Sequence, residues 1–141
     1  MIHYNVDITV NRPTADVFPF LADVTRHPSW MGGSTAVPIS DGPMRPGYRY
    51  RHSTDEGELE IEVTDFEPGV RLSARTVDGP YDWAGTFQLG PEAEGSRVIS
   101  TGAIRLTGWK RLAEPFLGRE VQRREQQELV RLKAIVESGQ V

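Results

Sequence analysis

Two side chains in this sequence combine acid–base capacity with a setting that calls for explanation. Glu125 falls in the row Val121, Glu125, Leu129, Leu132, Val136, whose spacing marks one face of a long helix, with Glu128 at the margin and Gln122 flanking it. A carboxylate on a core-facing row is costly unless it is paired, hydrated or functional. Facing an interior space, Glu125 can bind a ligand hydroxyl or transfer a proton. With the helix slightly rotated, it bonds instead to Arg124, Arg123 or an outer loop. His52, two residues after Tyr50, is the second side chain. A half-sheltered imidazole serves as base or acid near neutral pH, and Tyr50 adds a hydroxyl. Beside the turn "STDEG", however, His52 reads equally as a strand end with no orienting carboxylate in view.

A second histidine sits in "ADVTRHPSWMGG", followed directly by a proline. Pro28 restricts His27 to an extended conformation, which fits an element boundary better than a rigid catalytic site. His27 is therefore expected to be structural. Positions 3, 27 and 52 match no helical metal-ligand spacing and no dense carboxylate cluster accompanies them, so neither a metal nor another cofactor is expected. The chain has no cysteine, which excludes disulfides, thiol chemistry and cysteine-ligated clusters. "GxSxG", phosphate-loop and dinucleotide motifs are absent, and "WMGGS" lacks the strand-to-helix context that phosphate binding needs.

These residues must be positioned by a chain of 141 residues, 38% apolar and 26% charged, enough for one domain (1–141) with a core and an internal pocket. A net charge of −4 gives no footprint for nucleic acid or an anionic membrane surface. The opening "MIHYNVDITV" lacks the apolar run of a signal peptide or membrane span, so a cytoplasmic setting is expected. It alternates strictly, with Ile2, Tyr4, Val6, Ile8 and Val10 on one face, and predicts a half-buried strand. Pro13 and Asp16 open a helix carrying Val17, Phe18, Phe20 and Leu21, which Pro19 should bend or shorten.

From Gly47 onward the pattern is that of hairpins. Pairing Ser53 with Glu58 sets Arg51 opposite Glu60 and Arg49 opposite Glu62, on a polar face. The same register sets His52 opposite Leu59, Tyr50 opposite Ile61 and Tyr48 opposite Val63, on a buried one. Arg71, Ser73 and Arg75 continue the polar face, so the glutamates lie between two rows of arginines as a solvated ladder rather than a catalytic pair. Tyr81, Trp83, Gly85, Phe87 and Leu89 share the face of a further strand, and Val98, Ile104 and Leu106 point inward from the last. Beyond Trp109 the period becomes helical. Pro115 and Gly118 should interrupt the start, leaving one long helix from about Gly118 to Ser138, stopped by Gly139. The order is α+β, with helices packed on one face of an antiparallel sheet.

With "NRPTADVFPFLADVTRHPSW", "GYRY", "VTDFEPGVRL", "GPYDWAGTFQL" and "LVRLKAIVESG" in this order, the chain resembles the SRPBCC (START-like, birch-pollen-allergen-like) superfamily. Within it, the resemblance is to the polyketide cyclase/dehydrase branch; Pro19 departs from that family's uninterrupted first helix. The resemblance implies a helix-grip fold: a seven-stranded antiparallel sheet curled around a long C-terminal helix, two short helices after the first strand, and an elongated cavity between. On that fold the ligand-binding wall is expected to comprise Tyr48, Tyr50, His52, Tyr81, Trp83 and Phe87. Trp109, Phe116, Gln122 and Glu125 join it from the helical segment, and Trp30 gates the mouth. His52, Tyr50 and Glu125 are the candidates for proton transfer. Such a lining suits a flat, mostly apolar molecule of the lipid, polyketide or quinone class. Three functions are compatible: a binding or carrier protein, a cyclase/aromatase or dehydratase, and a regulatory domain that contacts another protein. The expected partner is a small hydrophobic molecule, not nucleic acid, bound by a monomer or homodimer.

Overall fold

Residues 1–32 and 35–139 are described by the computed structural model; Gly33 and Ser34 of "WMGGS" lie outside them. The alternation in the first strand is realised: β1 spans Ile2–Val10, with Ile2, Tyr4, Val6 and Val10 buried and the intervening polar residues outside. Helix α1 (Thr14–Ala22) runs through Pro19, which sits on its exposed side, and ends three residues later. A single turn of 3-10 helix (Val24–Arg26) and the one-turn helix α2 (His27–Trp30) follow. His27 departs from its expected extended conformation. It is helical (φ −52°, ψ −42°), because Pro28 occupies the first turn of α2, where a missing N–H costs no hydrogen bond.

Strands β2 (Thr35–Pro38), β3 (Arg49–Thr54), β4 (Gly57–Glu67), β5 (Arg71–Asp78), β6 (Tyr81–Glu92) and β7 (Gly95–Leu106) complete the sheet. The described residues form a seven-stranded antiparallel sheet in the order β1-β7-β6-β5-β4-β3-β2. The hairpin register holds residue for residue, with Arg49 opposite Glu62, Arg51 opposite Glu60 and Tyr50 opposite Ile61. The Val63 N–H donates to the Tyr48 carbonyl (2.8 Å) and the Gly47 N–H to the Val63 carbonyl (2.7 Å), which carries the pairing one residue further. On the outer face Arg49 bridges Glu60 (3.0 Å) and Glu62 (2.9 Å), and Arg75 reaches Glu62 from β5 (3.3 Å). These exposed pairs form the expected ladder and contribute little to stability individually.

Helix α3 (Glu114–Ser138) crosses the concave face, its C-terminus closed by Gly139 at φ 78°. Its buried row is Val121, Leu129, Leu132 and Val136, as the spacing predicts. The helix begins four residues earlier than expected, after a 3-10 segment at Gly108–Ala113. Pro115 lies in the first turn, where its missing N–H has no helical partner to lose, so it starts the helix instead of breaking it. Glu114 fixes that start by accepting hydrogen bonds from the Met1 amino group and from the Leu106 N–H at the end of β7. Among the described residues no helix is long and apolar enough to cross a membrane.

Candidate functional site

Between α3 and the curled sheet lies a cavity of about 200 Å³. Its floor is apolar: Leu59 and Ile61 from β4, Leu72 and Ala74 from β5, Phe87 from β6 and Ile104 from β7. These are the inward members of alternating strands, so the period that built the sheet also supplied the wall. Polar groups enter at two places across the width of the sheet. Glu125 and Glu128 descend from α3, with Tyr4 of β1 and Trp83 of β6 nearby; His27, Tyr50 and His52 stand on the β3 side.

The carboxyls of Glu125 and Glu128 lie beside each other in the cavity wall, one helical turn apart. Burial raises the pKa of both, the neighbouring carboxylate raises that of Glu128 further, and Arg124 opposes the shift in each. Two carboxylates cannot share a sheltered site while both are charged, so the pair holds a proton at neutral pH. One member is then an acid and the other a base, which is the division of labour that proton-transfer enzymes obtain by pushing paired groups apart.

Beside this pair, Trp83 Nε1 donates to the Tyr4 hydroxyl at 2.8 Å. Two glycines make room for that bond. A Cβ on Gly102 would lie 2.3 Å from the Tyr4 hydroxyl, and one on Gly85 would lie 2.6 Å from the Trp83 ring. Burial, together with the nearby Glu125, raises the Tyr4 pKa and keeps the phenol protonated, so its own O–H remains to be donated.

On the β3 side, His27 is 1% exposed, with its ring against Tyr50 (centroids 5.7 Å apart) and Trp30 (5.8 Å). Its Nε2 lies 2.9 Å from the Leu21 carbonyl oxygen. His52 is half-buried, and burial lowers its pKa, so it is largely neutral near pH 7.

Six of the residues expected at the wall line the cavity: Tyr50, His52, Tyr81, Trp83, Phe87 and Glu125. Five lie elsewhere, for identifiable reasons. Trp30 is fully buried in the core behind His27 and Phe87, so it is packing and not a gate. Tyr48 shares the inward face but sits in the core beyond the cavity, with the Arg45 guanidinium over its ring. Trp109 and Phe116 are 78% and 83% exposed. The anchoring of Glu114 turns Leu117 and Val121 toward the sheet, and Phe116 therefore points outward, about 100° around the helix. Gln122 is exposed and clamps α3 to β1, donating to the Asn5 carbonyl (2.8 Å) and accepting from the Asn5 N–H (3.1 Å).

Sequence reasoning misses Tyr4, His27, Arg124 and Glu128 as lining residues. A signal exists for two of them: Tyr4 is on the buried face of β1, and Glu128 is one turn from Glu125. Among the described residues no group of three His, Cys, Asp or Glu is arranged to hold a metal ion.

A family model described as polyketide cyclase/dehydrase and lipid transport matches residues 1–137. The chain belongs to this family, a branch of the SRPBCC superfamily. A search of curated proteins finds no match. Among solved structures, TTHA0849 from Thermus thermophilus superposes with a TM-score of 0.79 at 17% identity, covering 99% of each chain. Protein BH1534 from Bacillus halodurans also gives 0.79, at 19% identity, over 97% of this chain and 98% of that one. The di-domain ARO/CYC protein BexL of the BE-7585A biosynthetic pathway gives 0.76 at 22% identity. This chain covers 47% of BexL, about half of that di-domain. At these identities the likeness establishes the helix-grip fold and not a shared reaction.

Proposed function

We propose that the protein binds a small, flat, mostly apolar ligand of the polyketide type in this cavity, and that Glu125 and Glu128 transfer protons on it. The observation that carries the reading is the pair of neighbouring, sheltered carboxyls let into a wall made largely of aliphatic and aromatic side chains. A carrier needs no such pair. A smooth apolar wall binds as well, without the cost of sheltering two acids. BexL, named for a biosynthetic pathway, supports the same direction.

The chemistry that fits is dehydration of a β-hydroxy ketone. The ionised carboxylate takes a proton from the carbon α to the carbonyl, and those electrons form a carbon–carbon double bond. The C–O bond at the β position breaks, and the protonated carboxyl supplies its proton to the departing hydroxyl, which leaves as water. The pair ends with one proton, as it began, with the roles of the two glutamates exchanged. No outside acid, oxidant or metal enters the balance. The Tyr4 and Tyr50 hydroxyls, both kept protonated by burial, are available to orient the ligand's oxygens. At about 200 Å³ the cavity is below the usual range for drug-sized ligands and fits one or two fused rings.

The half-reaction can be tested without the natural substrate. In D2O, the protein is expected to accelerate exchange of the α-protons of 2-tetralone, a bicyclic ketone, above the rate in buffer. Glu125→Gln and Glu128→Gln should each lower that acceleration by about a hundredfold, the range associated with general acid–base catalysis. Binding of 2-tetralone with exchange no faster than in buffer would reduce the reading to ligand binding alone.

A further inference from the structure

Where β7 passes into α3, the three most exposed large apolar side chains of the described residues share one short segment. Trp109, Leu112 and Phe116 are 78%, 79% and 83% exposed. Their spacing puts them on one face. Trp109 and Leu112 are three apart in the 3-10 segment Gly108–Ala113, where such positions eclipse, and Phe116 follows four residues on, in the first turn of α3. The other side of that turn holds the segment in place: Glu114 is bound to β7 and to the Met1 amino group, and Leu117 packs inward. Single exposed apolar residues are normal on a protein surface; a contiguous set marks contact with something outside the chain. Three cations accompany the set. Lys110 and Arg111 lie between Trp109 and Leu112, and Arg119 lies one turn beyond Phe116. Among the described residues none of the three is in an ion pair, because the carboxylates nearest in sequence are already engaged. Glu114 is held by the Met1 amino group, with Arg111 acting on it from farther off, and Glu120 by Arg123 (3.0 Å). The acids Asp55, Glu56 and Asp78 belong to the β3–β4 and β5–β6 turns and not to this face.

We propose that this face docks the protein on an anionic lipid bilayer, with Trp109, Leu112 and Phe116 at the boundary of headgroups and acyl chains and Lys110, Arg111 and Arg119 among the phosphates. An indole beside cations suits that boundary, which is apolar on one side and charged on the other. The shape agrees: side chains this exposed stand clear of the surface and can enter a fluid layer without a matching groove. A second copy of the chain is a poorer occupant, since a two-fold contact would set three cations against their own equivalents. The net charge of −4 opposes approach only weakly, because salt screens it beyond about 8 Å at physiological ionic strength. The inference goes beyond the cavity reading and stands independently of it. One consequence alone rests on that reading. The Thr107 hydroxyl donates to the Pro80 carbonyl (3.1 Å), and Tyr81 next to it lines the cavity, so a ligand carried in the bilayer is delivered beside the cavity wall.

Trp109 is its own reporter, since Trp30 is buried and Trp83 half-buried. With vesicles of equal parts phosphatidylcholine and phosphatidylglycerol, its emission is expected to move to the blue and to be quenched by brominated acyl chains. The affinity should exceed that for pure phosphatidylcholine vesicles about a hundredfold, three cations at about fivefold each, and should fall as salt is raised. Leu112→Ser combined with Phe116→Ser should lower it by about tenfold or more, with the melting temperature and the 2-tetralone titration unchanged. Lys110→Glu combined with Arg119→Glu should remove the preference for anionic vesicles and also leave the melt unchanged. Anionic vesicles left unbound, while 2-tetralone still binds, would overturn the inference, leave the cavity reading standing and assign the face to a protein partner. Vesicle binding that survives both double substitutions would overturn it as well, as would a dimer that the serine substitutions dissociate.

Discussion

Glu128→Gln is expected to raise the melting temperature at pH 8 by about 6 °C and to leave it unchanged at pH 4. The sign follows from proton linkage. Burial and the neighbouring Glu125 hold the Glu128 pKa above its ordinary value of 4.5 in the folded state, so between that value and the folded pKa the folded chain binds more protons than the unfolded one. Stability is then fully present below about pH 4.5 and declines as the pH rises, the reverse of a salt-bridged carboxylate. Glutamine mimics the protonated acid, so the variant escapes the decline. About 2 kcal/mol is recovered at pH 8, from a shift worth about 1.4 kcal/mol per pH unit and discounted for the partial exposure of the pair. For a chain of this length that corresponds to roughly 3 °C per kcal/mol. Thermal melts across pH 4–9 provide the check. A variant that is less stable than wild type at every pH would show that Glu128 is an ordinary ionised partner. The gain would come with loss of proton exchange on 2-tetralone, the pattern expected where a site is kept at the expense of the fold.

The second large effect is steric. Gly102→Ala is expected to destabilise the protein by about 3 kcal/mol and to redden Trp83 fluorescence. The added Cβ would stand 2.3 Å from the Tyr4 hydroxyl and 2.5 Å from the ring carbon that bears it, both closer than atoms approach. Gly102 and Tyr4 face each other directly across β1 and β7, so the backbone has no slack to separate them. Tyr4 must tilt, and the 2.8 Å bond from Trp83 Nε1 is lost. Overpacking costs of about 1–3 kcal/mol are typical, and the stranded indole N–H adds to them. Tyr4→Phe in the same background should recover only part of the packing loss, because the ring carbon 2.5 Å from the added Cβ remains, and it does not restore the hydrogen bond. Chemical denaturation of the single and double variants measures both parts. If Gly102→Ala alone is neutral, the close approach of Tyr4 is not what this glycine serves.

The fold is legible because it is written in periods. The alternation from Ile2 to Val10, the charge-matched register of β3 and β4, and the helical row ending at Val136 each depend on residues near in sequence, and each holds in the structure. The site is only partly legible, because a cavity is where packing stops, and no local pattern records that. Tyr48 and Tyr50 occupy the same face of one hairpin; the first fills the core and the second lines the space. Which does which depends on how far α3 stands off the sheet. Phe116 belongs to the helical period, but its facing is decided by Glu114 binding the amino terminus 113 residues away. Trp30 and His27 exchange their expected roles for a similar reason. Taken alone, Pro28 restricts His27, whereas the first turn of a helix accommodates proline and folds the histidine inward, with the larger indole behind it.

The central claim is that a ring-containing ligand occupies the space between the sheet and α3, against the carboxyl pair. The most direct measurement is a 1H–15N NMR titration of the wild-type protein with 2-tetralone. Saturable shifts are expected at Tyr50, Leu72, Ala74, Gly85 and Phe87 on the sheet and at Glu125 and Glu128 on the helix. Shifts confined to the exposed side chains Trp109, Leu112 and Phe116, or no shifts at all, would contradict it.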